Sequence, residues 1–342
     1  MYVPTSFAVA LALTLLTAVF WGSWANTYKG ARGYPFALFY WDYIAGVVLC
    51  SVLLALTAGS AGGTGEPFLA NLRTADGSNG LYALLGGAIF NVANLLLIAA
   101  IDIAGLAVAF PIAIGIAVVE GVVLSYVLQP KGNVGLLGTG VVLAVVAVLL
   151  NARAYRQLRQ RQTEATGGNG SSTSMAATDG KSKLGISVSV ISGVLMGAFA
   201  PLVTRAMTHG HALTPYSTAV LFSIGALLCC FVVNVRFMRR PLHGPPVSFS
   251  GFWRAGTRNH ALGLVGGVVW GLGTCFNFIA AGLVGVPISY AIGQSAPLIA
   301  AAWGVFVWKE FRGAPRTAWT ALAWMAACYV AAVGFIASAY GD

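Results

Sequence analysis

The sequence predicts an all-α integral membrane protein with ten transmembrane helices arranged as two inverted five-helix repeats. Three observations carry that reading. Hydrophobic residues make up 58% of the 342 positions and charged residues only 8%, against roughly 25% charged in soluble domains. Apolar runs of about 20 residues, enough to cross a hydrocarbon core, recur along the whole length. The chain also resembles itself at an offset of about 180 residues.

The spans fall at about 6–26, 36–58, 80–101, 105–128, 134–152, 184–207, 214–238, 261–283, 287–308 and 317–339. The first lacks a basic leader and runs into Trp21-Gly22-Ser23-Trp24, so it reads as a mature helix and not a signal peptide. Lys and Arg number 16 in the odd-numbered connections and three (Arg73, Lys131, Arg205) on the other side. That asymmetry puts the odd connections in the cytoplasm and both termini outside, as in a bacterial inner membrane. Because the basic residues flank apolar spans, the net charge of +10 speaks for lipid contact and against nucleic acid as a partner. The five cysteines all lie within spans and read as small packing residues.

A stretch rich in Gly, Ser and Thr near 164–174 suggests a flexible cytoplasmic linker over 153–183. It separates a first repeat, 1–152, from a second, 184–342. Gly86-Gly87 followed by Gly105 is matched by Gly266-Gly267 followed by Gly285, and Phe90 is matched by Trp270. With five spans each, the halves insert in opposite directions, the arrangement that supports alternating access around a central site.

Glu120 stands alone among apolar residues of span four. A carboxylate at that depth costs roughly 2.5–3.5 kcal/mol to insert, so such groups face the bundle interior. Removal from water favours the protonated form, which makes Glu120 the proton-coupling candidate; a protonated or paired structural glutamate is the alternative. Candidate solute contacts are Trp21, Trp24, Asn91, Asn94, Phe110, Trp270, Thr274, Asn277, Tyr290 and Gln294. Amides that both donate and accept, beside aromatic rings, suit a small neutral hydrogen-bonding solute, although such side chains also join membrane helices. Pro111, Pro287 and Pro297 remove backbone donors within spans four and nine, as happens where a helix lines a cavity. Gly263, Gly267 and Gly271 form a close-packing face on span eight. At the cytoplasmic mouth, Asp42 is expected to pair with Lys29 or Arg32, as a plain interfacial pair or as a gate, and Lys309-Glu310 to anchor the end of span nine.

Gly180-Lys181-Ser182 has only the tail of a phosphate-binding loop, with Met175 at the position of its first glycine. His209 and His211 have no further metal ligands near them in sequence. No catalytic constellation lies within the spans. The reading is therefore a transporter and not an enzyme, needing no cofactor beyond a proton gradient and acting as monomer or homodimer. Sodium coupling and export are left open.

The chain resembles the drug/metabolite transporter superfamily, and within it the ureide permease family. The resemblance rests on Trp41-Asp42-Tyr43, Gly105-Leu106, Asn234-Val235-Arg236-Phe237, and Trp303-Gly304-Val305 with Lys309-Glu310-Phe311-Arg312. It implies proton-coupled uptake of ureides such as allantoin, or of uracil-like bases. Glu120 departs from the family pattern, in which the acid stands at the position of Phe110. Phe110-Pro111-Ile112 with Gly115 is similar to sugar uptake families of the same superfamily, which makes a sugar the alternative solute.

Overall fold

The computed structural model describes residues 1–61, 63, 65–165 and 175–340. Ten helical segments in it are long and apolar enough to span a membrane: Phe7–Gly30, Phe36–Leu56, Gly77–Ala104, Val108–Leu128, Val134–Gln162, Lys183–Thr208, Pro215–Arg239, Thr257–Val284, Val286–Val307 and Arg316–Ser338. They agree with the ten spans expected, and no strand occurs among the described residues. In hydrocarbon a helix satisfies its own backbone polar groups without partners, which is why apolar runs of this length become helices.

In chain order the helices are α1 (Phe7–Ser23), α2 (Ala25–Gly30), α3 (Phe36–Leu56), the short α4 (Phe68–Thr74), α5 (Gly77–Ala104), α6 (Leu106–Leu128) and α7 (Val134–Ala165). There follow α8 (Met175–Thr208), α9 (Pro215–Arg239), the short α10 (Ser250–Trp253), α11 (Thr257–Val284), α12 (Val286–Gly293), α13 (Ala296–Ala302) with a π turn over Trp303–Val307, and α14 (Arg316–Ser338). Their starts follow local chemistry. Ser6 caps α1, Asn133 accepts from the backbone N–H of Gly135 and Leu136 at the start of α7, and Thr214 caps α9 ahead of Pro215.

Three boundaries differ from the sequence expectation. The first span is two helices joined at Trp24 and runs on to Gly30. Helix α7 continues through the basic segment as far as Ala165, and α8 begins at Met175, because Arg, Gln, Leu and Ala are good helix formers outside as well as inside a membrane. The Gly/Ser-rich part of the expected linker, 166–174, lies outside the described residues. The ninth span is not one helix. It stops at Gly293, turns through Gln294 and Ser295, and resumes at Ala296.

Helices α3 and α11 pack together, as do α5 and α9; α11 packs on α1, and α5 on α8; α6 lies on α8, and α13 and α12 on α1; α7 pairs with α14 at the side. The expected glycine face of α11 does meet α3. A methyl group at Gly267 would overlap the Tyr43 carbonyl oxygen, and one at Gly46 the Leu264 carbonyl. Where α5 meets α9, Gly87 faces the Phe222 carbonyl and Gly225 the Leu84 carbonyl in the same way. Absence of side chains lets these backbones approach, and in lipid that close packing is the main source of helix association. Large apolar side chains such as Leu53, Phe231, Val232, Trp324 and Val330 point outward, more than half exposed, where the bilayer would cover them.

Two glycines with positive φ, Gly105 (83°) and Gly285 (88°), make the one-residue turns after α5 and α11. Each turn is met by a cation: the Arg159 guanidinium lies against Gly105, and Lys131 donates its ammonium to the Leu283 carbonyl. A positive group at a helix C-terminus complements the unpaired carbonyls there.

Candidate functional site

The site is best built outward from Trp270 on α11. Its ring stacks on Phe90 of α5 (4.7 Å between centroids) and on Trp21 of α1 (6.1 Å), and touches Tyr43 of α3 (6.2 Å) and Phe222 of α9 (6.5 Å). Tyr43 in turn meets Trp24 at 4.8 Å, and Phe199 of α8 links Phe90, Phe222 and Tyr290. One group of rings thus joins helices of both halves of the chain. The sequence expectation contained Trp21, Trp24, Trp270 and Tyr290, but not Phe199, Phe222 or Tyr43.

Two polar sets flank the rings. In the first, the Tyr40 hydroxyl donates to the Asn91 carboxamide oxygen at 2.9 Å and accepts from the Asn94 amide at 3.2 Å, while the Cys230 thiol donates to the same Asn91 oxygen at 3.4 Å. The i, i+3 spacing of Asn91 and Asn94 placed them on one helix face, and the structure confirms that shared face. What the spacing could not show is Tyr40 between them. The Asn91 amide nitrogen and the Tyr43 hydroxyl are buried with no protein partner, and a buried donor without an acceptor costs about 1–3 kcal/mol.

The second set surrounds the break in the ninth span. Trp21 donates from Nε1 to Thr274 Oγ1 at 3.1 Å, and Asn277 donates to the Ser289 carbonyl at 2.8 Å. A methyl group at Gly293 would sit 2.9 Å from the Trp21 ring and 3.1 Å from the Asn277 amide. Gln294 follows directly, in the turn itself. Pro297 has no N–H to offer the Gly293 carbonyl, so the ladder is interrupted beside Trp21 and Asn277.

The remaining expected residues are placed elsewhere. Tyr290 is fully buried, and its hydroxyl is held by the Ala117 carbonyl at 3.2 Å and the Met196 carbonyl at 3.5 Å. It ties α12 to α6 and α8. Glu120, half-buried, faces α8, where a methyl group at Gly197 would come within 2.8 Å of its Cβ. Among the described residues no group donates a hydrogen bond to its carboxylate. Its neighbour Gly121 lies against the Tyr290 ring. Phe110 is half-buried near the basic end of α6. It stands next to Pro111, which helps line a cavity of about 550 Å³ with Ile112, Arg153 and Arg156.

The expected gate pairing is corrected. Asp42 contacts neither Lys29 nor Arg32. It accepts from the Tyr34 hydroxyl at 2.9 Å and lies 3.0 Å from His260 Nδ1. Lys29 pairs with Glu310 instead, and Glu310 also accepts from the Tyr155 hydroxyl at 3.2 Å, so this carboxylate joins the first, fifth and ninth spans. Arg32 is exposed. The reason is distance along the chain: Lys29 and Arg32 are near Asp42 in sequence, but α2 turns Lys29 toward the end of the ninth span. Tyr34, outside the spans, has its hydroxyl pKa raised by burial and then by the adjacent Asp42.

A sequence model of the ureide permease family matches residues 170–339. Along the full length, the chain is 24% identical to ureide permease 1 of Arabidopsis thaliana, an alignment covering 100% of this chain and 99% of the relative. Ureide permease 2 of the same plant is also 24% identical, over the same shares. The chain is similar along its full length to members of the ureide permease family. A probable ureide permease A3 of Vigna unguiculata is 25% identical over 90% of this chain and 96% of its own length. The names of these relatives point, at family level, to membrane transport. These relatives are plant proteins, so the expected bacterial inner membrane is not borne out; what stands is an integral membrane protein.

Two of the motifs behind the expected family resemblance each place a residue at one helix crossing. Asn234 of α9 donates to the Ala37 carbonyl of α3 at 2.9 Å, and the Trp41 indole N–H lies 3.3 Å from Met238 Sδ. Trp41 and Asn234 thus both lie at the contact between α3 and α9, whereas Asp42 and Tyr43 face α11.

Proposed function

We propose that this permease carries a small neutral polar metabolite of the ureide or nucleobase kind across a membrane by alternating access, as a proton-coupled symporter. The observation that carries the reading is the break in the ninth span at Gln294 and Ser295, set against Trp21, Thr274 and Asn277. Interrupted helices at the middle of a bundle are where transporters of many folds bind solute. A planar ureide or base offers amide donors and carbonyl acceptors to Gln294, Asn94 and Asn277 and a flat face to Trp21 and Trp270. The names of the plant relatives point to the same solute class.

In this reading the two halves, 1–152 and 184–342, are inverted repeats that rock about the ring cluster, with the 153–183 segment in the cytoplasm and both termini outside. Support comes from the matched helix crossings: Gly46 with Leu264 and Gly225 with Leu84, Gly267 with Tyr43 and Gly87 with Phe222. Glu120 is the coupling carboxylate, held against α8 without a hydrogen-bonding partner and so ready to exchange a proton. A sugar is the second reading, favoured by the similarity of Phe110-Pro111-Ile112 and Gly115 to sugar uptake families.

A thermal-shift panel of allantoin, uracil, hexoses and pentoses on the purified protein, followed by uptake into proteoliposomes under an inward proton gradient, tests it. Stabilisation by allantoin or uracil with gradient-driven accumulation is the expected result. Stabilisation by hexoses or pentoses alone replaces the ureide reading with the sugar one.

A further inference from the structure

At the basic end of the bundle, α3, the start of α11 and two connections meet around one acid and one histidine. Both carboxylate oxygens of Asp42 lie 3.0 Å from His260 Nδ1, and the other ring nitrogen, Nε2, is 3.1 Å from the Phe252 carbonyl oxygen. The Tyr34 hydroxyl donates to Asp42 Oδ2. The imidazole is walled by the rings of Phe252, at 4.7 Å, and Tyr34, at 5.8 Å. Asp42 is 8% exposed and His260 25%.

This geometry counts protons. A backbone carbonyl can only accept, so the contact with Phe252 is a hydrogen bond only when Nε2 carries a hydrogen. An ionised carboxylate can only accept as well, so the contact with Nδ1 is attractive only when a proton lies between them. That state is either imidazolium with carboxylate or imidazole with carboxylic acid. Once one proton leaves, a ring lone pair faces an acceptor on one side or the other, the Asp42 carboxylate or, in the other tautomer, the Phe252 carbonyl; between two aromatic walls weak screening makes either contact of two acceptors costly and loosens one of the two ties.

We propose that Asp42 and His260 form a proton-held latch between the second and eighth spans, closed while the pair holds its proton and released when the proton is lost to the basic face. The inference rests on the transporter reading only for its use, as an inner gate distinct from Glu120. The helices are otherwise at backbone contact there, since a methyl group at Gly263, one turn from His260, would strike Asp42 Cβ. The titratable or charged groups around the pair are few. Tyr34 shares the carboxylate, Tyr40 and Tyr43 lie on the same helix as Asp42, Arg32 and Arg254 are exposed on the adjoining connections, and Arg258 is exposed in the first turn of α11. Lys29 is engaged by Glu310.

Hydrogen exchange of the segments around 34–42 and 250–262, followed against pH on the full-length protein in detergent, tests the latch. After correction for the intrinsic chemical rate, exchange is expected to be flat at low pH and to rise about tenfold per pH unit above the release point, as loss of one proton per opening requires. Asp42→Asn and His260→Gln should abolish that rise. A rise that persists unchanged in both variants overturns the proposal. A second measurement does not depend on the variants' stability: ¹⁵N-histidine NMR with His209, His211 and His243 replaced by Gln. Protons on, or shared at, both nitrogens of His260 below the release point are expected, and a bare Nδ1 there overturns the proposal equally. Neither readout involves solute, so failure of the latch and failure of ureide transport are separately visible.

Discussion

Gly267 lies directly over the carbonyl oxygen of Tyr43, so close that even a methyl side chain would overlap it. The same relation holds between Gly87 and Phe222. Gly267→Ala should therefore destabilise the protein by about 1–3 kcal/mol, as overpacking does. Gly138→Ala, at a helical glycine with no neighbour within 4 Å of the added methyl, should be neutral or stabilising by up to about 1 kcal/mol. Thermal unfolding of both variants in one detergent compares them directly. Equal melting temperatures would mean the helix crossing is looser than described.

Tyr40 is the bridge between Asn91 and Asn94. Tyr40→Phe removes the shared hydroxyl and leaves two buried carboxamides short of a partner, at a cost of about 1–3 kcal/mol. If the amides also meet solute, the variant should raise the apparent KM for uptake more than it lowers the maximal rate. A lowered melting temperature with unchanged uptake kinetics would confine the network to a structural role.

Glu120→Gln keeps the shape of the side chain against Gly197 and removes its ability to ionise. The expected outcome in proteoliposomes is loss of gradient-driven accumulation with solute exchange preserved. Accumulation that survives the change would move the coupling site elsewhere.

Glu66 lies outside the spans, in the connection after α3. Its pKa is lowered chiefly by the Thr74 hydroxyl at 2.7 Å, then by the Asn71 amide at 2.9 Å, with a small contribution from His211. A carboxylate with a depressed folded pKa contributes stability that is present above its unfolded value and lost as pH falls through the folded one. Hydrogen exchange of residues 66–76 should stay slow to below the ordinary glutamate range and then quicken. Glu66→Gln should remove that acid transition; an unchanged acid transition in this variant would assign it to another group.

Much of the fold could be read from the sequence because membrane spans are local. A run of about 20 apolar residues and a basic flank are written in consecutive positions, and lipid leaves the backbone little choice but helix. The glycine face of α11 was legible for a related reason: residues four apart share a helix face, and small ones there imply close packing. The turn at Gln294 was only half legible. Pro287 and Pro297 signalled a disturbed helix, but where the chain would turn depends on the room left by Trp21 and Asn277.

The gate shows where such reading stops. Asp42 was singled out as an interfacial acid, and nearness in sequence suggested Lys29 and Arg32. Its partner is His260, 218 positions away, and nothing in the residues around either one announces the other. Tyr40 stands between Asn91 and Asn94 across a separation of 51 and 54 residues, and four rings from four helices meet Trp270. By itself the sequence determined the helices, their number and the charge asymmetry across them, since each depends on neighbouring residues and the solvent. Only the tertiary structure decided which polar groups meet, because in a bundle that choice follows from how the helices cross and rotate against one another.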